Sequence, residues 1–325
     1  MVKMTYAEAA KTALSEEMHR DGTVWAVGED LGRGGVFGQY KGMVEEFGPD
    51  RISDAPISES AILGSAVGAA MAGTRPVVEM RFADFALCAI DELVNQAAKA
   101  RYMFGGQIDV PMVIREPMGI WRSSAAQHSQ SLESWYTHIP GLVVVCPSTP
   151  ADNYGMLKTA IRSNDPVVYL EHKNMWALEG EVEQGDGGLV PFGKARIARE
   201  GSDVTIVSWS ATVHQAMAAA DALSADGVEA EVIDLRSLWP WDKASVFESV
   251  AKTGRLIVAH EAVRVGGFGA EVAATVAERC FKDLKAPVRR LGSPRVPIPY
   301  APPLEDMLRV TSEMIVETAK ELVKD

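Results

Sequence analysis

Glu59 stands where a charge needs a chemical reason. It belongs to Asp54-Ala55-Pro56-Ile57-Ser58-Glu59-Ser60-Ala61 and opens a stretch made almost entirely of Ala, Ile, Leu, Gly, Val and Met. One reading is a first-turn acid that complements the positive end of a helix, a contribution of about 0.3–1 kcal/mol. That reading leaves the apolar surroundings unexplained. A carboxyl in an apolar pocket has its pKa raised, which suits it to share a proton with, or donate one to, a ring nitrogen. His128 is the second such residue. It closes the loop Trp121-Arg122-Ser123-Ser124-Ala125-Ala126-Gln127, which follows an expected strand. The carboxyl edge of a parallel sheet is the side on which ligands bind. A loop histidine is also, in the ordinary case, simply a surface residue.

These residues need a sheet to hold them, and the sequence supplies one. Val24-Trp25-Ala26-Val27, Val77-Val78-Glu79-Met80, Met112-Val113-Ile114, Leu142-Val143-Val144-Val145 and Val167-Val168-Tyr169-Leu170 are short and mostly apolar, several of them rich in β-branched residues, as in strands buried on both faces. Helical stretches fall between them at Ser60–Ala72, Cys88–Ala100 and Ala151–Arg162, so the alternation predicts a parallel sheet with crossover helices in a first domain over 1–175. Thr5-Tyr6-Ala7-Glu8 has the pattern of a capping box opening a helix. Residues 176–194 are acidic, glycine-rich and without apolar period, which reads as a linker. A second α/β domain follows over 195–325, with strands at Val204–Val207, Ala230–Ile233 and Leu256–Val258 and helices at Ala211–Leu223 and Ala270–Arg279.

Composition narrows the classes of function. The chain has 325 residues, 47% of them hydrophobic, enough for two cores. A formal charge of −12 argues against nucleic acid or an anionic membrane as partner, because phosphate binding concentrates Lys and Arg. Cys88, Cys146 and Cys280 are scattered and odd in number, which suits a reducing compartment. With no apolar signal segment and no run long enough to cross a bilayer, the expectation is a cytoplasmic chain or a mature organellar one, such as a mitochondrial matrix protein. Gly185-Asp186-Gly187 resembles the start of a thiamine diphosphate signature, but that signature needs a downstream Asn and none occurs after Asn174. Gly266-Gly267-Phe268-Gly269 lacks the full G-x-G-x-x-G spacing, and Asp283 sits in a polar turn instead of at a strand end, so packing is preferred to nucleotide binding.

The run from Asp54 to Glu79, Phe85, Asn95-Gln96-Ala97-Ala98-Lys99 and Ala126-Gln127-His128-Ser129-Gln130 resembles the β subunits of 2-oxo acid dehydrogenases, a group that includes acetoin dehydrogenase β subunits. Val232-Ile233-Asp234-Leu235-Arg236, Lys252-Thr253-Gly254-Arg255 and Gly266–Glu271 extend the resemblance through the second domain. It implies an α/β fold of two domains, a transketolase-type pyrimidine-binding domain followed by a transketolase C-terminal domain. It also implies two α and two β subunits sharing thiamine diphosphate, with the α subunit holding the diphosphate and magnesium. Glu59 would hydrogen-bond the 1′ nitrogen of the aminopyrimidine and favour the imino tautomer that removes the thiazolium proton. Ile57 and Phe85 would line the pyrimidine, and His128 would work near the reacting carbon in acyl transfer to lipoamide. Ala160, Ile161 and Asp165 would help bind a structural potassium ion, although Ser163 stands where several relatives have Asp. His138 and His260 match nothing catalytic.

The implied partners are an α subunit, a lipoyl-bearing acyltransferase and a small 2-oxo acid or acetoin. Trp135–Leu142 looks closest to acetoin enzymes, Pro240-Trp241-Asp242 and His260-Glu261-Ala262 to the branched-chain type, and Tyr102–Gly106 is compatible with pyruvate. A split transketolase, a non-catalytic assembly subunit and, most distantly, a nicotinamide dehydrogenase stand as alternatives.

Overall fold

The structure, a computed structural model, describes residues Met1–Lys324. The chain divides into two compact units. The first comprises Met1–Met118 and Trp135–Phe192, and the second comprises Gly119–Ser134 and the chain from Gly193 onward.

In the first unit, strand β1 (Val2–Thr5) leads into the helix Tyr6–Arg20. Thr5 and Glu8 close the capping box reciprocally, Glu8 N donating to Thr5 Oγ1 at 3.2 Å and Thr5 N donating to Glu8 Oε2 at 2.8 Å. Strands β2 (Val24–Gly28), β3 (Ile52–Asp54), β4 (Arg75–Glu79), β5 (Val113–Met118), β6 (Val143–Val145) and β7 (Val167–His172) then build a parallel sheet in the order β6-β7-β5-β4-β2-β3. Gly28 stands opposite both Asp54 and Glu79, so β2, β3 and β4 end level and their loops leave from one edge. Both faces are covered: Ile52, Val77, Val113 and Val167 are buried in one core with Leu14 and Leu157, and their neighbours Val78, Ile114 and Val168 on the opposite face are buried too, which is why the strand segments are apolar throughout instead of alternating.

Residues 176–192 do not serve as a loose connector. Strand β8 (Glu179–Val182) pairs antiparallel with β1, Val2 opposite Val182, and Asp186 accepts from Arg162 Nη2 at 2.8 Å. The acids and glycines that suggested a linker belong to a paired strand and a tight turn, and the units change over between Phe192 and Gly193. The partner that orders β8 lies some 175 residues upstream, where local composition carries no trace of it.

The second unit contains β9 (Arg196–Arg199), β10 (Val204–Ser208), β11 (Ala230–Asp234), the short β12 (Ser237–Trp239), β13 (Leu256–Val263) and β14 (Arg289–Ser293). Its sheet has the order β14-β13-β10-β11-β9, parallel except for β9 against β11. Val204, Ile206, Ala216, Leu223, Val232 and Ile315 are buried together, the last from the C-terminal helix Ser312–Lys324. The Gly266–Gly269 turn is a packing device. A Cβ on Gly269 would lie 2.7 Å from His260 Nε2, and one on Gly267 2.6 Å from His260 Cε1. The Phe268 amide, which would have to face an anion, instead donates to Ser134 Oγ at 2.9 Å. Among the described residues no helix is long and apolar enough to cross a membrane.

Candidate active site

Glu59 is delivered by the loop that leaves β3, and it is the first residue of the helix Glu59–Met71. Ser58 gives that helix no side-chain cap, its Oγ donating instead to the Pro56 carbonyl at 2.9 Å, and Glu59 is the acid of the first turn. Ser60 Oγ donates to the Cys88 carbonyl at 2.7 Å, tying this end to the turn that follows Phe85. Glu59 and Phe85 are therefore carried by segments that leave β3 and β4 at the same edge. Phe85 is half-buried and meets Phe82 edge-on at 5.6 Å, while Phe82 meets Phe37 at 6.0 Å and carries Lys173 Nζ at 4.8 Å above its ring. Ile57 is 75% exposed, so it is not a core residue: a large apolar side chain is held out in the open two positions before the acid. The stretch read as one helix over Cys88–Ala100 is divided, with a π-helical turn at Glu92–Ala97 that runs into the helix Ala98–Met103. Such turns mark functional sites more often than chance.

A second acid accompanies Glu59 that sequence reading passed over. Glu29 directly follows β2, and its carboxyl is pushed up by burial and by the charge of Glu59, with Arg81 opposing. Arg81 Nη1 lies 3.6 Å from Glu29 and 3.2 Å from Asp30, whose backbone is left-handed with φ 59°. The available signal was position alone: an acid at the carboxyl end of a parallel strand.

His128 belongs to the second unit, in the segment 119–134. Its loop is strained, with Arg122, Ser123 and Ala125 all left-handed at φ 44°, 59° and 60°. Each such non-glycine residue costs about 1–3 kcal/mol, and strain of this kind persists only when the surroundings impose it. Here the surroundings are polar anchors from far along the chain. Glu261 Oε1 accepts from Ile120 N at 2.8 Å and Ser131 Oγ at 3.0 Å. Glu305 Oε2 accepts from Ser123 N at 2.8 Å, and Arg309 Nη1 donates to the Ile120 carbonyl at 3.1 Å. Trp209 Nε1 donates to Glu133 Oε1 at 3.0 Å and fixes the far end of the segment. His138 is exposed, and His260 is buried with its ring stacked 5.0 Å from Trp209, where burial pulls its pKa down to about 4.

The oxygens expected to bind potassium are already engaged. Arg75 Nη1 donates to the Ile161 and Ser163 carbonyls at 3.0 and 2.8 Å, and its Nη2 donates to Asn164 Oδ1 at 2.8 Å. The Ala160 carbonyl takes Ser163 N at 3.1 Å, and Asp165 Oδ1 takes Arg101 Nη1 at 2.6 Å. The Asp165 carbonyl accepts from Ser163 Oγ at 3.2 Å, so each backbone oxygen named for the ion takes one hydrogen bond within the chain and keeps a second lone pair.

Beneath the site the first unit buries acids that sequence reading did not single out. Glu79 accepts from Tyr40 at 3.0 Å and from Gln39 at 3.1 Å; burial pushes it up to about 7 although Arg115 opposes. Glu116, on β5, is wholly buried against Tyr136 and pushed up to about 8, by burial first and then by the charge of Asp84.

This arrangement of sheet, edge loop and second α/β unit is one that known proteins share. Residues 2–177 match the family described as "Transketolase, pyrimidine binding domain", and residues 193–315 match "Transketolase, C-terminal domain". A solved structure titled "Split gene transketolase, inactive beta4 tetramer" has the same fold, with a TM-score of 0.79 over 99% of this chain and 98% of that one at 23% identity. Relatives along the whole chain narrow the class. The acetoin:2,6-dichlorophenolindophenol oxidoreductase subunit beta of Cupriavidus necator is 45% identical over 99% of this chain and 98% of its own. The 2-oxoisovalerate dehydrogenase subunit beta of Bacillus subtilis is 43% identical over the full length of both chains. A mitochondrial pyruvate dehydrogenase E1 component subunit beta from Oryza sativa is 45% identical over 98% of this chain and 86% of its own. The chain belongs to the family of E1 β subunits of 2-oxo acid and acetoin dehydrogenases.

Proposed function

We propose that this chain supplies the pyrimidine side of a thiamine diphosphate site shared with an α subunit, and that the assembled enzyme cleaves the carbon–carbon bond beside the carbonyl of a 2-oxo acid or acetoin. The observation that carries the reading is Glu59, an acid at the opening of an apolar helix that the loop after β3 delivers at the carboxyl edge of the sheet, from which the turn bearing Phe85 also leaves. When bound, thiamine diphosphate supplies the carbon nucleophile and the electron sink. Glu59 holds a proton at a ring nitrogen, and Phe85 with the exposed Ile57 offers the apolar and aromatic surface on which a flat heterocycle rests. Glu29 keeps a second carboxyl close, so that Glu59 works beside another acid. His128 donates or accepts a proton near the reacting carbon as the acyl unit passes to a lipoyl group.

The partners in this reading are an α subunit in a complex of two α and two β chains, which holds magnesium and the diphosphate, and a lipoyl-bearing acyltransferase. The named relatives act on acetoin, pyruvate and branched 2-oxo acids at similar identity, so the substrate is assigned by assay. Co-expression with an α subunit, followed by thiamine diphosphate binding and dye-coupled oxidation of the three substrate types, tests the whole reading. Activity in the pair alone, reduced about 10²–10⁴-fold in Glu59→Ala, supports it. Wild-type activity in that variant would leave the chain an assembly subunit.

A further inference from the structure

We infer that Glu261 is a positioning residue that cinches the His128 loop at its base, and that acyl transfer depends on it although the residue touches no reacting atom. The inference rests on the reading of His128 given above. One carboxylate oxygen of Glu261 accepts from Ile120 N and from Ser131 Oγ, residues that bracket the loop on either side of His128. Between those points the backbone passes through three left-handed non-glycine residues, a path that relaxes once its ends are released. Glu305 and Arg309 hold the loop at Ser123 and Ile120 and are themselves paired at 2.6 Å. Glu261 is the one of the three that joins the entry of the loop to its exit. A hydrogen-bond acceptor is what this task needs. Ile120 N and Ser131 Oγ are neutral donors, so these two bonds need an acceptor oxygen and not a charge.

The test uses the reconstituted α/β complex loaded with thiamine diphosphate and three readouts: hydrogen exchange of the peptide spanning 119–131, proton exchange at the thiazolium carbon, and acyl transfer to lipoamide. Glu261→Leu removes the acceptor and Glu261→Gln keeps one. In Glu261→Leu the loop peptide is expected to exchange roughly tenfold faster and acyl transfer to fall roughly tenfold, with thiazolium proton exchange, the task assigned to Glu59, within about twofold of wild type. Glu261→Gln is expected to stay within about threefold on all three. The inference is overturned if Glu261→Leu leaves the loop and acyl transfer unchanged, or if thiazolium exchange falls as far as acyl transfer, which would report a general fold defect. His128→Ala separates the two ideas. If it transfers acyl groups normally while Glu261→Leu still loosens the loop and slows transfer, His128 loses its chemical role and Glu261 keeps its positioning role.

Discussion

Arg115 is clasped by Glu171 through two parallel hydrogen bonds, Nε to Oε2 at 2.8 Å and Nη2 to Oε1 at 2.9 Å, with both side chains fully out of water. Tyr40 bridges the same guanidinium to Glu79, and Asn153 Nδ2 donates to Glu171 Oε1 at 3.1 Å. Side chains from β4, β5 and β7 are thereby locked directly beneath the edge that carries the site.

Removing Glu171 leaves the buried Arg115 with only the longer contact to Glu79 at 3.4 Å and two N–H donors without their acceptor, and the cost exceeds what the pair itself contributed. Glu171→Ala is expected to destabilise the protein by about 3–5 kcal/mol, read as a lowered unfolding midpoint in urea. A midpoint close to wild type would mean that Glu79 or water satisfies Arg115.

Glu116 gives a pH dependence of definite sign. Its folded carboxyl keeps its proton to about pH 8, whereas the unfolded chain releases it near 4.5. The folded state binds the extra proton, so stability is full below about 4.5, declines as pH rises toward 8, and stays lower beyond. Glu116→Gln mimics the protonated form and lacks this decline. Its melting temperature relative to wild type should therefore rise between pH 5 and pH 9; parallel profiles for the two proteins would contradict the assignment.

The packing of the Gly266–Gly269 turn predicts a steric result. Gly269→Ala drives a methyl group to 2.7 Å from a histidine ring that Trp209 holds in place, an overpacking that costs about 1–3 kcal/mol. In a double-mutant cycle His260→Ala should recover part of that loss, and strict additivity would show that the clash is relieved elsewhere.

Arg75 holds the Ile161 and Ser163 carbonyls, in the segment expected to bind potassium. Exchanging KCl for NaCl at constant ionic strength should leave the wild-type melting temperature unchanged. Arg75→Met, which frees the Ile161 and Ser163 carbonyls, should melt lower and regain stability in potassium more than in sodium. Specific stabilisation of the wild type by potassium would reverse this conclusion.

The sequence by itself determined the alternation of strands and helices, the two α/β units and the acid at the opening of an apolar helix. Those features are local: β-branched runs form strands, Thr5 and Glu8 close a cap, and a charge in an apolar stretch is visible without coordinates. Only the tertiary structure decided the rest. It paired residues 179–182 with the N-terminal strand, set Glu29 beside Glu59, brought Arg75 onto the Ile161 and Ser163 carbonyls, and hung the His128 loop from Glu261, Glu305 and Arg309. In most of these cases the interacting groups lie far apart in the chain, and in all of them the chemistry of each is defined by what folding brings against it. Local pattern records which residues are capable of a bond, and chain topology chooses the partner.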